Sequence, residues 1–224
     1  MNYGSESLLI DNLIRMHINN KIDRNLWNDL LNQSEFASPF QTPEFFDFFN
    51  QNVNMQAKVF AVGNNVVYDA LCVLTFQKEK GLKGFFSRRA IIYGGPVLSE
   101  NIKQEELEYL LIEMSNYVKR KVIYVETRNF FDYSQYKDVF LKSGWHYIPY
   151  LNFQLNLVGL NKETLLSKFK YNRRREIKQS ISEGTTYGLC DNIDELKHVY
   201  SILTELYKKR VKLPIPSLNY FLGL

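Results

Sequence analysis

Alternating apolar runs and helical apolar stripes follow one another along this chain, and their order predicts a sheet with helices packed on it. Apolar residues at Leu8, Leu9, Leu13 and Ile14, then at Leu26, Trp27, Leu30 and Leu31, have helical spacing and predict short helices or a helical arm. Thr42 is suited to cap a helix whose first residue is Pro43, with Glu44 and Asp47 near its positive end. That helix carries Phe45, Phe46, Phe48 and Phe49 on more than one face, so it is expected to be largely buried or to wall a cavity. Residues 56–62 and 66–76 predict two strands joined through Gly63-Asn64-Asn65 as a hairpin. A third strand is predicted over 85–93; Gly94 and Gly95 allow a turn or a close approach there, and Pro96 stops the ladder. Leu107, Leu110, Leu111, Met114 and Val118 then mark a helix over 103–121.

Further along, 122–127 predicts a short strand and 132–143 a helix closed by Gly144. Residues 145–157 are strand-like, with Tyr147, Tyr150 and Phe153. The succession indicates an α/β (α+β) domain built on a mixed, largely antiparallel sheet flanked by helices. A helix is expected from the cap Asn161 to Gly184, then a strand over 185–190 and a helix over 193–211. Pro214-Ile215-Pro216 reads as a linker into a new helix starting at Ser217, with the chain stopping soon after.

Composition supports a packed, folded protein: 224 residues, 45% hydrophobic, with 16 Phe and 15 Tyr. Cys72 and Cys190 are far apart in apolar or strand-like settings and read as reduced core thiols. His17, His146 and His198 show no ligand spacing, so each reads as structural and no metal is expected. No signal sequence and no apolar run of about 20 residues is visible, which predicts a cytoplasmic protein without a transmembrane segment. Peripheral contact with a membrane surface stays open to its basic face.

Charge changes the picture at one place. Between Lys162 and Lys178 there are seven basic residues against two acidic ones, while the whole chain is only +4, so the excess is local. Such a field attracts nucleic acid, nucleotide phosphates or anionic lipid headgroups, unless it is simply a solvated helix face. Arg174, Arg175 and Lys178 are the outward candidates for phosphate. Arg173 falls on the apolar stripe of Leu165, Phe169, Ile177 and Ile181, and is expected to meet a buried carboxylate or point into a cleft.

Four stretches together resemble the FemAB-like (Fem-type) aminoacyltransferase branch of the GNAT acyltransferase superfamily. They are Ser38-Pro-Phe-Gln-Thr-Pro-Glu-Phe-Phe46, Tyr93-Gly-Gly-Pro-Val-Leu98, the helix Arg173-Arg-Arg-Glu-Ile-Lys178 followed by Gly184, and Leu206-Tyr-Lys-Lys-Arg210 with Tyr220-Phe221 downstream. The resemblance implies two GNAT-like domains, 1–157 and the opening of a second over 158–224, left incomplete. It implies a bacterial transferase of peptidoglycan and cell-wall biogenesis or surface-polysaccharide biosynthesis, moving an aminoacyl or acyl group to an amine of a precursor. The partners it implies are an anionic nucleotide- or lipid-linked cell-envelope precursor and an aminoacyl-tRNA donor, with no cofactor. Arg210 stands where the family has an acceptor-binding arginine, with Tyr207 beside it, and the helix of Arg173 to Lys178 matches the family's basic stretch. The chain departs from the family where an acceptor-binding lysine is expected, since the helix after Gln41 reads Phe48-Phe49-Asn50, and no tyrosine follows one turn after Arg210.

Acyl transfer to an amine needs alignment, stabilisation of the developing oxyanion and a route for a proton, but no covalent nucleophile. Gly94 and Gly95 could present backbone amides or be only a turn. Glu126 could accept a proton or be occupied by Arg128 or another cation. The Gln/Arg-x-x-Gly-x-Gly/Ala loop that would hold the pyrophosphate of CoA is absent, which makes acetyl-CoA a weaker candidate than tRNA. A CoA-dependent N-acyltransferase and a non-catalytic module that binds RNA or an anionic glycan precursor are the alternatives.

Overall fold

The computed structural model describes residues 15–53, 55–78, 83–190, 192–213 and 215–223. The helical pattern around Leu8 to Ile14 lies outside them. Two compact units are present, Met1–Pro149 and Tyr150–Leu224.

In the first unit the described strands are β1 (Arg15–Ile18), β2 (Gln56–Gly63), β3 (Tyr68–Gln77), β4 (Arg89–Gly94), β5 (Val97–Leu98) and β6 (Tyr124–Asn129). They form one sheet in the order β1-β2-β3-β4-β6, with β5 pairing to β3 beyond the end of β4. Every pairing is antiparallel except β4 with β6, which is parallel. The sheet is therefore mixed and largely antiparallel, as the alternation of strand and helix patterns predicts. The hairpin is closed by Asn64, whose Oδ1 accepts from Val66 and Val67 N–H. A Cβ on Gly63 would lie 2.2 Å from the Val67 carbonyl oxygen, so the bulge there requires glycine.

Helices cover both faces. On one, α1 (Arg24–Gln33) and α2 (Pro43–Gln51) bury Trp27, Leu30 and Phe49 against Val59, Leu71 and Val73. On the other, α3 (Gln104–Val118) and α4 (Lys137–Lys142) bury Leu107, Leu110, Leu111, Val139 and Phe140 against Phe60, Cys72 and Ile92. Asp23 caps α1 and Thr42 caps α2 through side-chain oxygens, each cap worth about 1 kcal/mol. Of the α2 aromatics only Phe49 is fully buried; the others are half-exposed. Cys72 is wholly buried, and burial pushes its thiol pKa up.

Several boundaries differ from the sequence reading. The third strand starts at Arg89, because 83–86 form a short helical turn. The helix expected over 132–143 begins as a 3-10 turn at Ser134–Tyr136 before α4, and Gly144, at φ +84, ends it as expected.

The second unit is helical: α5 (Lys162–Ser167), α6 (Tyr171–Ser182), α7 (Ile193–Leu206), a π turn at Tyr207–Val211 and α8 (Leu218–Leu222). Asn161 caps α5, but the single helix expected from there to Gly184 is broken at 168–170, where Lys170 is extended. The strands expected over 145–157 and 185–190 do not form. A strand needs a hydrogen-bonded neighbour, and these segments have none among the described residues. Leu151, Phe153, Tyr187 and Leu189 are correspondingly exposed, and so is Cys190, which is not a core thiol.

Candidate functional site

The candidate site of the first unit lies at the C-terminal ends of the parallel strands β4 and β6, an end of the sheet where α/β folds commonly bind ligands. The register sets Tyr93 beside Arg128 and Ile91 beside Glu126. Because alternate residues share a face, Tyr93, Glu126 and Arg128 stand on the same side of the sheet.

The Tyr93 ring is the centre of this arrangement. Phe40 lies 5.7 Å away and Phe45 6.4 Å, ring centre to ring centre. The Arg128 guanidinium sits over the ring at 5.5 Å. Gln77 donates from Nε2 to the Tyr93 hydroxyl at 2.8 Å and accepts from Arg89 at 3.2 Å. Phe130 packs on Phe40 at 5.6 Å. The result is an aromatic floor with Arg128 over it, linked through Gln77 to Arg89 at the other end of β4, and suited to hold a planar or anionic group by stacking and charge-assisted hydrogen bonds.

Glu126 is occupied by the cation beside it. Its Oε1 accepts from Arg128 at 2.9 Å from Nε and 2.7 Å from the terminal nitrogen. Both side chains are partly in water, so a ligand can compete for either.

Gly94 and Gly95 adopt φ +88 and +90 and are both buried. A Cβ on Gly94 would meet the Ser38 hydroxyl at 2.3 Å, and one on Gly95 the Tyr133 hydroxyl at 2.5 Å. Tyr133 donates to the Pro96 carbonyl at 2.7 Å, and burial drives its pKa upward. The two glycines thus serve a closely packed bend, and the bend does not present its amides to solvent.

In the second unit the basic residues of 168–178 lie on α6 and just before it. Arg173 meets no buried carboxylate: it is exposed and pairs with Glu176 one turn on, at 2.8 Å. It lines an open hollow of about 420 Å³ with Lys168, Phe169, Lys170, Asn172 and Glu176. Arg174 is the half-covered member, next to Ile177 on the helix, while Arg175 and Lys178 are exposed. Arg173 thus faces an open hollow rather than a buried carboxylate, and Arg174 is partly covered where Arg175 and Lys178 are exposed. Tyr207 and Arg210 both lie on the π turn, Tyr207 half-buried and Arg210 exposed, with Lys212 in the left-handed region closing the turn. Tyr200 holds α8 against α7 through Phe221 at 5.5 Å and the Pro216 carbonyl at 2.9 Å.

Arg173, Arg174, Arg175, Lys178, Tyr207 and Arg210 all belong to the second unit, whereas Gly94, Gly95 and Glu126 belong to the first. Tyr93 and Gln41 lie within the stretches Tyr93–Leu98 and Ser38–Phe46, but neither carries a local signal of its own, because their partners are distant in sequence. Among the described residues no cluster of His, Cys, Asp or Glu could hold a metal, and no helix is long and apolar enough to cross a membrane.

No family model and no curated protein sequence matches this chain. Among solved structures it is similar to FemX, with a TM-score of 0.60 and 16% identity, over 92% of this chain and 53% of that one. It is also aligned with the aminoglycoside N-acetyltransferase AAC(6')-Iy bound to CoA (TM-score 0.47, 11% identity, 65% of this chain and 95% of that). A ribosomal-protein-alanine N-acetyltransferase from Brucella melitensis aligns at TM-score 0.44 and 6% identity, over 64% of this chain and 99% of that. At these scores only the likeness to FemX bears on the fold, and it gives the chain a FemX-like architecture across about half of FemX's length.

Proposed function

We propose that this chain is part of a Fem-type transferase that moves an aminoacyl or acyl group to an amine of a cell-wall or surface-glycan precursor. The observation carrying the proposal is the FemX-like fold over 92% of the chain, obtained despite 16% identity. The four sequence stretches that resemble the Fem branch support it independently.

In the reaction, the acceptor amine attacks the ester carbonyl of an aminoacyl-tRNA. A C–N bond forms, the C–O bond to the tRNA ribose breaks, the amine loses a proton and the ribose hydroxyl gains one. Alignment can supply a large share of the acceleration in such a step, as effective molarities of about 10⁵ M or more illustrate. The Tyr93–Arg128 face offers an anchor for an anionic, nucleotide-linked acceptor, and Glu126 is the candidate for the amine's proton once a ligand draws Arg128 away. On the second unit, Lys168, Lys170, Arg174, Arg175 and Lys178 offer phosphate contacts to a tRNA donor. Arg210, with Tyr207 on the same turn, is the second candidate anchor for acceptor phosphate. A lipid-linked precursor would bring the protein to a membrane surface, and the cytoplasm is where charged tRNA and such precursors meet.

The test is transfer of labelled amino acid from a pool of charged tRNAs to a peptide-bearing nucleotide precursor, using the full-length protein. Label in the precursor supports the proposal. Absence of transfer together with turnover of acetyl-CoA overturns the tRNA donor in favour of a CoA-dependent N-acyltransferase. Salt-sensitive RNA binding without turnover of either donor overturns the enzyme reading in favour of a binding module.

A further inference from the structure

The 3-10 turn Pro39–Gln41 enters the sheet at a point where two strands would otherwise pair. β3 and β4 are in register from Gln77–Arg89 to Thr75–Ile91, and there the ladder ends. In the same register the next hydrogen-bonded positions are Val73 and Tyr93, and the Gln41 carboxamide stands between them. Its Oε1 accepts from Val73 N–H at 2.7 Å, and its Nε2 donates to the carbonyls of Tyr93 at 2.8 Å and Val73 at 3.3 Å. Past this point β3 takes β5 as its neighbour, at Leu71–Val97.

A primary carboxamide has two N–H donors and an acceptor oxygen, and all are used here. Gln41 is fully buried, so each of these bonds replaces one that water cannot supply. Leucine or methionine would leave three strand groups unpaired, and glutamate would keep at most the one O–H donor of its protonated form. The requirement at this position is for an amide.

The same turn fixes the neighbourhood of Tyr93 in two other ways. Phe40 lays its ring against Tyr93 and Phe130. Ser38 occupies the space beside Gly94 that a side chain there would fill. One short turn therefore sets the Tyr93 backbone, one wall of its ring and the start of the following bend.

We infer that Gln41 is a positioning residue: its carboxamide holds β4 off β3 and aims Tyr93, and through it the seat of Arg128, at the ligand. This rests on the reading of the Tyr93–Arg128 face as an anion-binding acceptor site. The role differs from that of an ordinary core residue, because its loss should loosen β4 past Ile91 while β1, β2 and their pairing stay closed.

The experiment compares the wild-type chain with Gln41→Glu and Gln41→Leu by peptide-level hydrogen exchange and by binding of inorganic pyrophosphate. The expected result is exchange in residues 92–97 faster by about tenfold or more, with β1 and β2 unchanged, and pyrophosphate affinity reduced by a similar factor. Uniform loosening across the sheet, or local loosening with unaltered affinity, overturns the inference. Phe40→Ala removes the ring wall and leaves the amide, so it should weaken pyrophosphate without accelerating exchange over 92–97; faster exchange there overturns the inference as well. Should the Gln41 variants not fold, wild-type exchange decides: the Val73 amide, bonded to a side chain alone, must be as protected as its neighbours in β3, and rapid exchange overturns the wedge. A wild-type chain that does not bind pyrophosphate overturns the reading of the face itself, whatever the exchange data say of Gln41.

Discussion

The guanidinium of Arg128 lies 5.5 Å above the ring of Tyr93, directly across the β4–β6 pair, while Glu126 holds its other side. An exposed cation kept in place by a ring and a carboxylate is poised for exchange of partners, since surface pairs are worth about 0–1 kcal/mol. Arg128→Gln should therefore reduce pyrophosphate affinity at least severalfold and leave the melting temperature nearly unchanged. Calorimetric titration beside a thermal melt checks this, and unaltered affinity would remove Arg128 from the site.

The α6 cations make a separate prediction. Replacing Arg174, Arg175 and Lys178 together by Gln should weaken tRNA binding and lower the slope of log K against log salt by about two to three, one counterion for each phosphate no longer neutralised. The effect of Arg174 alone should include some loss of stability, because it is half-covered where the other two are free in solvent. Filter binding at several salt concentrations measures the slope. An unchanged slope means that this face is merely solvated.

Gly95→Ala should destabilise the first unit strongly. Its φ of +90 strains an L-residue by about 1–3 kcal/mol, and the new Cβ would lie 2.5 Å from the Tyr133 hydroxyl. Tyr133→Phe in the same chain removes only the hydroxyl part of the clash, since the ring carbon at 2.7 Å and Asn129 Oδ1 at 2.8 Å remain, and it also removes the bond to Pro96. Partial recovery in the double variant is not expected to reach wild type in denaturant melts.

Asp69 predicts a pH effect of stated sign. Burial raises its pKa above 3.8, Glu106 adds to the rise, and Ser99 and Lys103 oppose it. The folded state then holds the proton more tightly than the unfolded chain, so stability falls as pH rises from 3.8 to the folded value and stays reduced above it. Asp69→Asn should melt higher than wild type at neutral pH. The difference should disappear below about pH 3, where both states carry the proton. Melts across that range decide it.

Sequence pattern alone determined the elements whose hydrogen bonds and caps are local. The α2 cap at Thr42, the hairpin at Asn64, the α3 stripe and the stop at Gly144 all follow from spacing and residue type, because each depends on neighbours within a turn or two. Only the tertiary structure decided the rest. Whether 145–157 and 185–190 become strands depends on a partner ladder, which no local alternation of Leu151, Phe153 and Leu155 can reveal. Arg173 shares the Ile177–Ile181 face of α6, but that helix has no buried residue, so the face its spacing marks as apolar stays in solvent and Arg173 pairs with Glu176. Tyr93 and Arg128 are 35 residues apart in sequence and meet through parallel register, while Gln41 reaches both β3 and β4 from a turn that precedes them. Those contacts are long-range, and it is the sheet's pairing, closed by a side-chain amide, that brings them together.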